Sequence, residues 1–334
     1  MSSGAVRTRA WRNGAVEADN FPFDQLSDYL EQPDTVVWAD LCMPDPQQLD
    51  QLAEELNLDP HAVEDAISLH QRPKATRYST HLFLSTYALR TNGEGGVDMT
   101  HVSAFLLPHA VVTVRLDNGF DVAEVVRRWD DNADLLKYGK RALEHGLLDV
   151  IVDQYFDVIQ DLDDEIEDLQ EMLFEEDGQH TTELQRRTFA VRAALLKVRR
   201  VVLPMRDLVE TVMRRATTQN TTDHAEVGAE LLPYFEDLAD HVLRAAEWTE
   251  SLREMVSSIY ETSISLADAR LNTVMKKLTS WAAIVAVPTA ITGYFGQNLN
   301  FPGFGTSAGF LASLALIVVL CVGLYALFKR KGWL

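Results

Sequence analysis

The sequence contains one long stretch without a charged side chain or a histidine. It runs from Leu278 to Phe328 and comprises 51 of the 334 residues. Two apolar runs lie within it, Leu278–Phe295 and Phe310–Phe328, and each approaches the roughly 20 residues that cross the hydrocarbon core of a bilayer. Two buried helices of a large soluble core are the alternative, but such helices rarely continue this far without a charge. The stretch therefore predicts a pair of transmembrane helices.

Each of the two runs has basic residues at one end, the first run at its start and the second at its end. They are Lys276 and Lys277 before the first run, and Lys329, Arg330 and Lys331 after the second. Cytoplasmic flanks of membrane helices are enriched in Lys and Arg, so both termini are expected in the cytoplasm and the protein in the cell (inner) membrane. Residues 297–309 would then form a short external loop and residues 329–334 a basic cytosolic tail. The polar residues 1–14 predict no secretory signal.

The rest of the chain is strongly acidic. The whole sequence has 30 basic and 50 acidic residues and a formal net charge of −20. This balance argues against a nucleic-acid partner, because phosphate contacts need clustered Lys and Arg. The sequence contains no Gly-rich phosphate loop, zinc-protease motif or nucleophile elbow, so we do not expect an enzyme. Cys42 and Cys321 are too far apart in sequence to suggest a disulfide framework or a thiolate metal site.

Residues 1–140 alternate strand and helix patterns and predict a cytosolic α/β domain. Runs of β-branched and aromatic residues predict strands. These runs are Val36–Leu41, His81–Arg90, Val102–Leu107 and Val111–Leu116. Asp-Pro pairs at 45–46 and 59–60 mark two helix starts, because Asp is favoured as an N-cap and Pro at the first helical position.

Residues 141–277 have helical patterns throughout and predict long helices and a stalk. The third long helix begins near residue 225 and has no breaker up to Val287, which gives a length of about 60 residues. We therefore predict an α+β fold with a mixed α/β cytosolic domain, a helical stalk and two C-terminal transmembrane helices at 278–296 and 310–328.

The first long helix contains acidic residues at every fourth position. They are Asp149, Asp153, Asp157, Asp161 and Glu165. One interpretation is a solvated face, or one paired with arginines of the next helix. The other is a diffuse surface for hard divalent cations such as Mg²⁺, which prefer carboxylate oxygens. The spacing leaves both open.

One face of the third helix has small or polar residues at helical spacing. They are Asn272, Met275, Thr279, Ala282, Ala286, Thr289, Gly293 and Gly296. Such a face is typical of packing against another helix, because small residues let backbones approach closely. It also suits the wall of a pore. A single hairpin cannot enclose a channel, so the second interpretation requires several copies around an axis.

The end of the first span carries the most specific motif. The segment Tyr294-Phe295-Gly296-Gln297-Asn298 resembles the Gly-x-Asn signature of the CorA family of divalent-cation transporters. It stands at the end of the first of two C-terminal spans, as in that family. Segments 61–65, 71–74, 204–207, 234–241 and 272–279 resemble further parts of the family sequence in the same order. The resemblance covers nearly the whole chain.

This resemblance implies a homopentamer with a funnel-shaped cytosolic assembly and a central pore. It implies a selectivity filter at Gly296, Gln297 and Asn298, where neutral oxygens could contact a hydrated Mg²⁺. A glycine C-cap followed by a polar loop is the structural alternative for these residues. The positions that match the pore lining are Asn272, Met275, Leu278, Ala282, Ala286, Thr289 and Gly293.

The resemblance also implies regulation by bound Mg²⁺ between neighbouring cytosolic domains. The matching positions are Glu64, Asp65 and Asp237. The alternative is that Glu64 and Asp65 are ordinary first-turn acids, which the helix dipole favours.

Two departures from the family pattern bear on the ion that is moved. Gln297 stands where the family usually has Met, and residues 299–308 contain no carboxylate. We expect a passive, cation-gated channel for Mg²⁺, with Co²⁺ or Ni²⁺ as further ions. Proton-coupled Zn²⁺ transport on the same fold is an alternative. A membrane-anchored metal sensor that conducts nothing is the alternative of another class.

Overall fold

The structure is a computed structural model that describes residues 5–68, 71–93, 95–174, 181–218, 225–297 and 303–334. The chain divides into two compact units, Met1–Ile259 and Tyr260–Leu334. A mixed β-sheet with helices on both faces forms the centre of the first unit. The second unit is helical.

The described residues of the first unit form a seven-stranded sheet of order β2-β1-β3-β7-β6-β5-β4. Strands β3 and β7 are parallel, and every other neighbouring pair is antiparallel. The strands are β1 (Ala5–Arg12), β2 (Ala15–Asp19), β3 (Thr35–Cys42), β4 (Lys74–Arg77), β5 (Leu82–Asn92), β6 (Gly96–Leu106) and β7 (Ala110–Arg115). The four runs of β-branched and aromatic residues correspond to β3, β5, β6 and β7.

Eight α-helices occur in the described ranges. They are α1 (Leu26–Leu30), α2 (Pro46–Glu55), α3 (Pro60–Ile67), α4 (Val122–Asp131), α5 (Lys140–Phe174), α6 (Thr181–Thr218), α7 (Ala225–Phe295) and α8 (Ser307–Arg330). The two Asp-Pro helix starts are confirmed. Asp45 accepts a hydrogen bond from the backbone N–H of Gln48 at 2.8 Å, and Asp59 accepts one from that of His61 at 2.9 Å.

Apolar cores lie on both faces of the sheet. On one face α1–α3 cover Phe83 and Phe105, which are fully buried. On the other face α4–α6 pack over the sheet. Here the Trp129 ring of α4 meets the rings of Trp11 and Trp38 edge-on, with centroids 5.6 and 5.2 Å away. The N-terminal unit is therefore a three-layer α/β/α domain.

Strand β1 and helix α4 were not predicted from the sequence. In β1 the buried residues Thr8 and Ala10 alternate with arginines, one of which, Arg9, pairs with Asp130 at 2.8 Å. The arginines make the segment look polar, but pairing with β3 and the buried alternate side chains make it a strand.

Helix α7 is longer than the sequence indicated. It has 71 residues, against an expected length of about 60, and it continues through Pro288 to the end of the first predicted span. Within the described residues, α7 and α8 are the two helices long and apolar enough to cross a membrane. These are the two predicted spans, and α8 begins at Ser307, three residues before the predicted start.

Candidate functional site

The predicted pore-lining residues all lie on the exposed part of α7 within the second unit. Met275 and Leu278 are 52% and 62% exposed, and the smaller members of the set are exposed as well. The partly covered residues of the same segment are Ala283, Ile284, Val287, Pro288 and Ile291. The predicted lining face therefore differs from the partly covered face of the helix. Packing within one chain does not use it.

Contact between α7 and α8 is seen at a break in the hydrogen bonding of α7. Pro288 has no backbone N–H, so the carbonyl of Ile284, four residues earlier, lacks its helical donor. The Sγ of Cys321 on α8 lies 3.7 Å from this carbonyl oxygen and donates to it. A thiol is a weak donor, but in an apolar surrounding it satisfies an otherwise unpaired group.

The filter motif begins directly after the last residue of α7. The Gly296 N–H donates to the carbonyl of Thr292 at 2.8 Å, and the Gln297 N–H donates to that of Tyr294 at 3.3 Å. Gly296 is not among the positive-φ glycines, so the left-handed C-cap considered from the sequence is not observed. A Cβ at position 296 would lie 2.8 Å from the Thr292 carbonyl oxygen. Glycine is required here for close backbone approach, and Asn298 lies outside the described residues.

Asp65, a predicted regulatory residue, is bound to partners of its own chain. Its Oδ2 accepts from the Lys74 ammonium at 2.6 Å and its Oδ1 from the Gln71 amide at 2.9 Å. Glu64 beside it is exposed, which leaves its carboxylate accessible. The carboxylate of Asp65 therefore already forms an ion pair with a lysine of the same chain.

Asp237, the other predicted regulatory residue, lies on α7 with its side chain 68% exposed. The nearest ion-pair partner is His241 one turn later, with 3.8 Å between Nε2 and Oδ2. No hydrogen bond or ion pair joins Asp237 to Asp65 among the residues that the structure describes. Asp65 and Asp237, two of the three predicted regulatory residues, thus do not contact each other within one chain.

Three metal-ligating side chains come together elsewhere in the first unit. The carboxylates of Asp149 and Asp153 and the imidazole of His241 have ligand atoms within 4.8 Å of one another. Arg128 of α4 donates to both carboxylates, to Asp153 at 2.6 Å. A guanidinium thus occupies the position between the two acids.

The acidic stripe of α5 is paired in part, as one of the two interpretations of the sequence expected, and the cation-surface interpretation stays a prediction. Glu165 pairs with Arg187 of the next helix at 2.7 Å, as one interpretation expected. Asp161 accepts from the Thr91 hydroxyl at 2.6 Å. Partial burial and the charges of Asp153 and Asp161 raise the pKa of Asp157. The repulsion expected along an unpaired acidic face therefore remains at this position.

Arg128 is the functional candidate that the sequence analysis missed. The signal for its helix was present, since Val122, Val125, Val126 and Trp129 recur at helical spacing and are buried. The side chain of Asp121 caps this helix, accepting from the Ala123 N–H at 2.9 Å. The contacts of Arg128 with α5 join residues more than 20 positions apart, and the spacing of residues along one helix does not predict such contacts.

Comparison with known proteins decides the family. The family model of the CorA-like Mg²⁺ transporter protein matches residues 33–330. The chain belongs to the CorA family. YfjQ of Bacillus subtilis is 30% identical to it, with 94% of each chain covered. The cobalt/magnesium transport protein CorA of Thermotoga maritima is 29% identical over 85% of this chain and 79% of the relative.

A solved structure supports the same fold. The complete structure of the CorA magnesium transporter from Methanocaldococcus jannaschii aligns with a TM-score of 0.78 at 20% identity, covering 100% of both chains. At this identity the likeness shows the fold alone. The CorA fold comprises the N-terminal α/β domain, the long helix and the two candidate transmembrane helices described above. As a CorA family member the protein is a divalent-cation transporter, and the family comprises transporters rather than enzymes.

Proposed function

We propose that this protein is a passive, cation-gated channel that carries Mg²⁺ inward as a homopentamer, with Co²⁺ or Ni²⁺ as further ions. The observation that carries the proposal is the exposed face of α7. All seven predicted lining positions are exposed in the single chain, although the neighbouring residues Ile284 and Val287 are partly covered. Five copies of this face around one axis would bury it and enclose a pore.

A neutral pore suits a strongly hydrated ion. Mg²⁺ loses its water shell reluctantly, so a filter of neutral oxygens can hydrogen-bond to the bound waters without trapping the ion. We propose Asn298, Gln297 and the Gly296 carbonyl for this role. Because Gly296 approaches the Thr292 carbonyl too closely for a Cβ, the backbone at the helix end is closely constrained.

The exposed apolar side chains of Met275 and Leu278 suit a gate. In a pentamer each would contribute a ring of five apolar groups, and a narrow apolar ring excludes water and ions. Ala282 and Ala286 lie further along and are small, so we place the constriction at Met275 and Leu278. Asn272 would supply a polar ring one turn before Met275.

Regulation would use the acidic cytosolic unit. We propose that a divalent cation bridges Glu64 or Asp65 of one protomer and Asp237 of the next, and so holds the pore closed. Lys74 already neutralises Asp65 at 2.6 Å, so the cation would share or displace this contact. Because the cation binds the closed state more tightly than the open one, a fall in cytosolic Mg²⁺ shifts the population to the open state.

Substitution on two sides of α7 tests the lining assignment. Ala286→Trp would place an indole in the pore and should reduce Mg²⁺ uptake into proteoliposomes at least tenfold. Thr273→Trp is the matched control, because Thr273 is exposed on the same helix yet lies about 100° or more around it from each of the seven predicted lining positions. Pentamer formation is checked by size-exclusion chromatography with light scattering. Equal flux in the two variants would show that the wrong face was assigned.

A charge-reversal pair tests the regulatory site. In the wild type, Mg²⁺ should protect the cytosolic unit from protease, and Asp65→Lys with Asp237→Lys should abolish this protection. The control pair is Asp50→Lys with Glu236→Lys, which makes the same charge change at exposed residues of α2 and α7. Persistent protection in the first pair would refute the assignment.

A further inference from the structure

A cavity of about 620 Å³ in the first unit lies between the sheet and α6, and its lining residue Gln71 donates to the regulatory candidate Asp65 at 2.9 Å. Its sheet side includes Tyr87, Met99 and His101, and its helix side extends from Leu196 to Pro204. The volume is within the range of small-molecule sites, which are about 300–1,000 Å³. Nothing in the proposed transport mechanism uses this cavity.

Among the residues that line the cavity, positively charged side chains outnumber negatively charged ones. Arg72, Arg199 and Arg200 line it. Arg72 and Arg199 pair with acids that do not line the cavity, Asp207 at 3.8 Å and Glu250 at 3.3 Å. In the described part of the chain no carboxylate lies within 4 Å of the guanidinium of Arg200. Arg200, with the two paired arginines beside it, therefore provides guanidinium donors that an anion can use.

The carboxylate among the lining residues is already satisfied. Asp117 accepts from the Thr100 hydroxyl at 2.8 Å and from the Gly119 N–H at 2.7 Å, both through Oδ1. These bonds hold it in the turn after β7. The three arginines thus outnumber the negative charge of the cavity, in a protein whose net charge is −20. Guanidinium groups in such a setting favour phosphate, which they bind in bidentate geometry.

Apolar residues are interleaved with these arginines in the lining, which is partly open. It includes Leu116, Leu196, Leu203, Pro73 and Pro204. Leu196 and Leu203 are 44% and 41% exposed, although they lie on the side of α6 that borders the cavity. Exposed leucines beside a concave surface mark a place where an apolar or planar group is stabilised by burial.

Two polar groups at this cavity lack the partners they would normally have. His101 is 3% exposed and its Nε2 contacts the Ser85 hydroxyl at 2.8 Å, but its buried Nδ1 has no hydrogen-bond partner. Pro204 has no N–H, so the carbonyl of Arg200, four residues earlier on α6, lacks its helical donor. An unpaired buried polar atom such as Nδ1 of His101 is rare and costly, and a ligand with a polar edge would satisfy it.

We propose that this cavity binds a nucleoside phosphate, with the phosphates on Arg72, Arg199 and Arg200 and the base between the leucines and His101. The guanidinium groups supply the charge recognition, and the apolar lining residues supply burial of the base. The Nδ1 of His101 contacts a polar edge of the base. Binding at this site does not require ion conduction, although the lining residue Gln71 also donates to the proposed regulatory residue Asp65.

Direct binding to the full-length protein in detergent tests the site. ADP is titrated in EDTA by isothermal calorimetry, so that metal chelation contributes nothing. We expect saturable binding of one ADP per chain, and binding at least tenfold weaker for adenosine and for inorganic phosphate, because adenosine lacks the phosphates and inorganic phosphate lacks the base. Wild-type protein that shows no saturable ADP binding up to millimolar concentration would overturn the proposal, as would inorganic phosphate binding as tightly as ADP.

Three variants locate the binding. Arg200→Glu should weaken ADP binding at least tenfold, and Leu196→Trp should do the same by filling the cavity without changing its charge. Arg192→Glu is the matched control, since Arg192 is an exposed arginine of the same helix that does not line the cavity. Equal weakening by Arg192→Glu and Arg200→Glu would mean that ADP follows the general charge of the surface, and the site would be rejected.

Discussion

The thiol of Cys321 on α8 donates to the carbonyl of Ile284 on α7, at a distance of 3.7 Å. This carbonyl is available because residue 288 is a proline and cannot supply the helical N–H. The helical hydrogen bond that is missing in the first candidate membrane span is thus replaced by one from a side chain of the second span. In lipid every backbone polar group needs a partner within the protein, and neighbouring helices supply such partners at prolines.

This contact predicts coupling between Cys321 and Pro288. Cys321→Ala removes the donor and should destabilise the helical hairpin by about 0.5–1 kcal/mol beyond its packing loss. In a Pro288→Ala background the helical N–H is restored, so the same substitution should cost less. A double-mutant cycle on unfolding in detergent measures the difference. Equal losses in the two backgrounds would show that the thiol does not serve this carbonyl.

The buried His101 predicts a loss of stability in mild acid. Burial lowers its pKa from an ordinary value of 6.5 to about 4. The unfolded chain therefore binds a proton below pH 6.5 that the folded chain does not, so stability is complete above this pH and falls towards pH 4. The contribution is about 3 kcal/mol. His101→Gln should flatten the pH dependence of the unfolding free energy between pH 7 and 5, whereas the exposed His109→Gln should leave it as in the wild type.

Arg128 predicts a competition between an internal cation and an external one. Arg128→Ala removes the guanidinium between Asp149 and Asp153 and should destabilise the first unit by about 1–3 kcal/mol. Millimolar Mg²⁺ or Co²⁺ should then raise the unfolding temperature of this variant by more than it raises that of the wild type. The reason is that the vacated carboxylates and His241 can bind the ion. The control is Arg127→Ala, whose guanidinium pairs with the exposed Glu124. Metal stabilisation of equal size in both variants would contradict this role.

Much of the fold follows from local patterns. The strands β3, β5, β6 and β7 have apolar runs that few other structures accommodate, and the Asp-Pro helix starts are confirmed by their capping bonds. Strand β1 was missed because its arginines mask the alternation, and its pairing partner is about 30 residues away. Contacts of this range depend on tertiary structure, which single-segment patterns do not contain.

The candidate site was predictable only where local patterns determine it. The face of α7 followed from helical periodicity, and the structure leaves it exposed. The partners of Asp65 did not follow, although Gln71 and Lys74 stood in a recognised segment, because side-chain contacts depend on how α3 and β4 pack in the folded chain. Arg128 was missed because its carboxylate partners belong to another helix. Asn298 remains a prediction from its motif.

Flux through reconstituted vesicles tests the central claim most directly. Mg²⁺ uptake is measured under a potassium diffusion potential without a pH gradient, for the wild type and for Asn298→Ala with its assembly verified. The driving force on the cation is about 2.3 kcal/mol per charge per 100 mV. We predict that wild-type uptake rises with the inside-negative potential and that Asn298→Ala abolishes it. Undiminished flux in Asn298→Ala, or flux that requires a pH gradient and ignores the potential, would contradict a passive Mg²⁺ channel with its filter at Asn298.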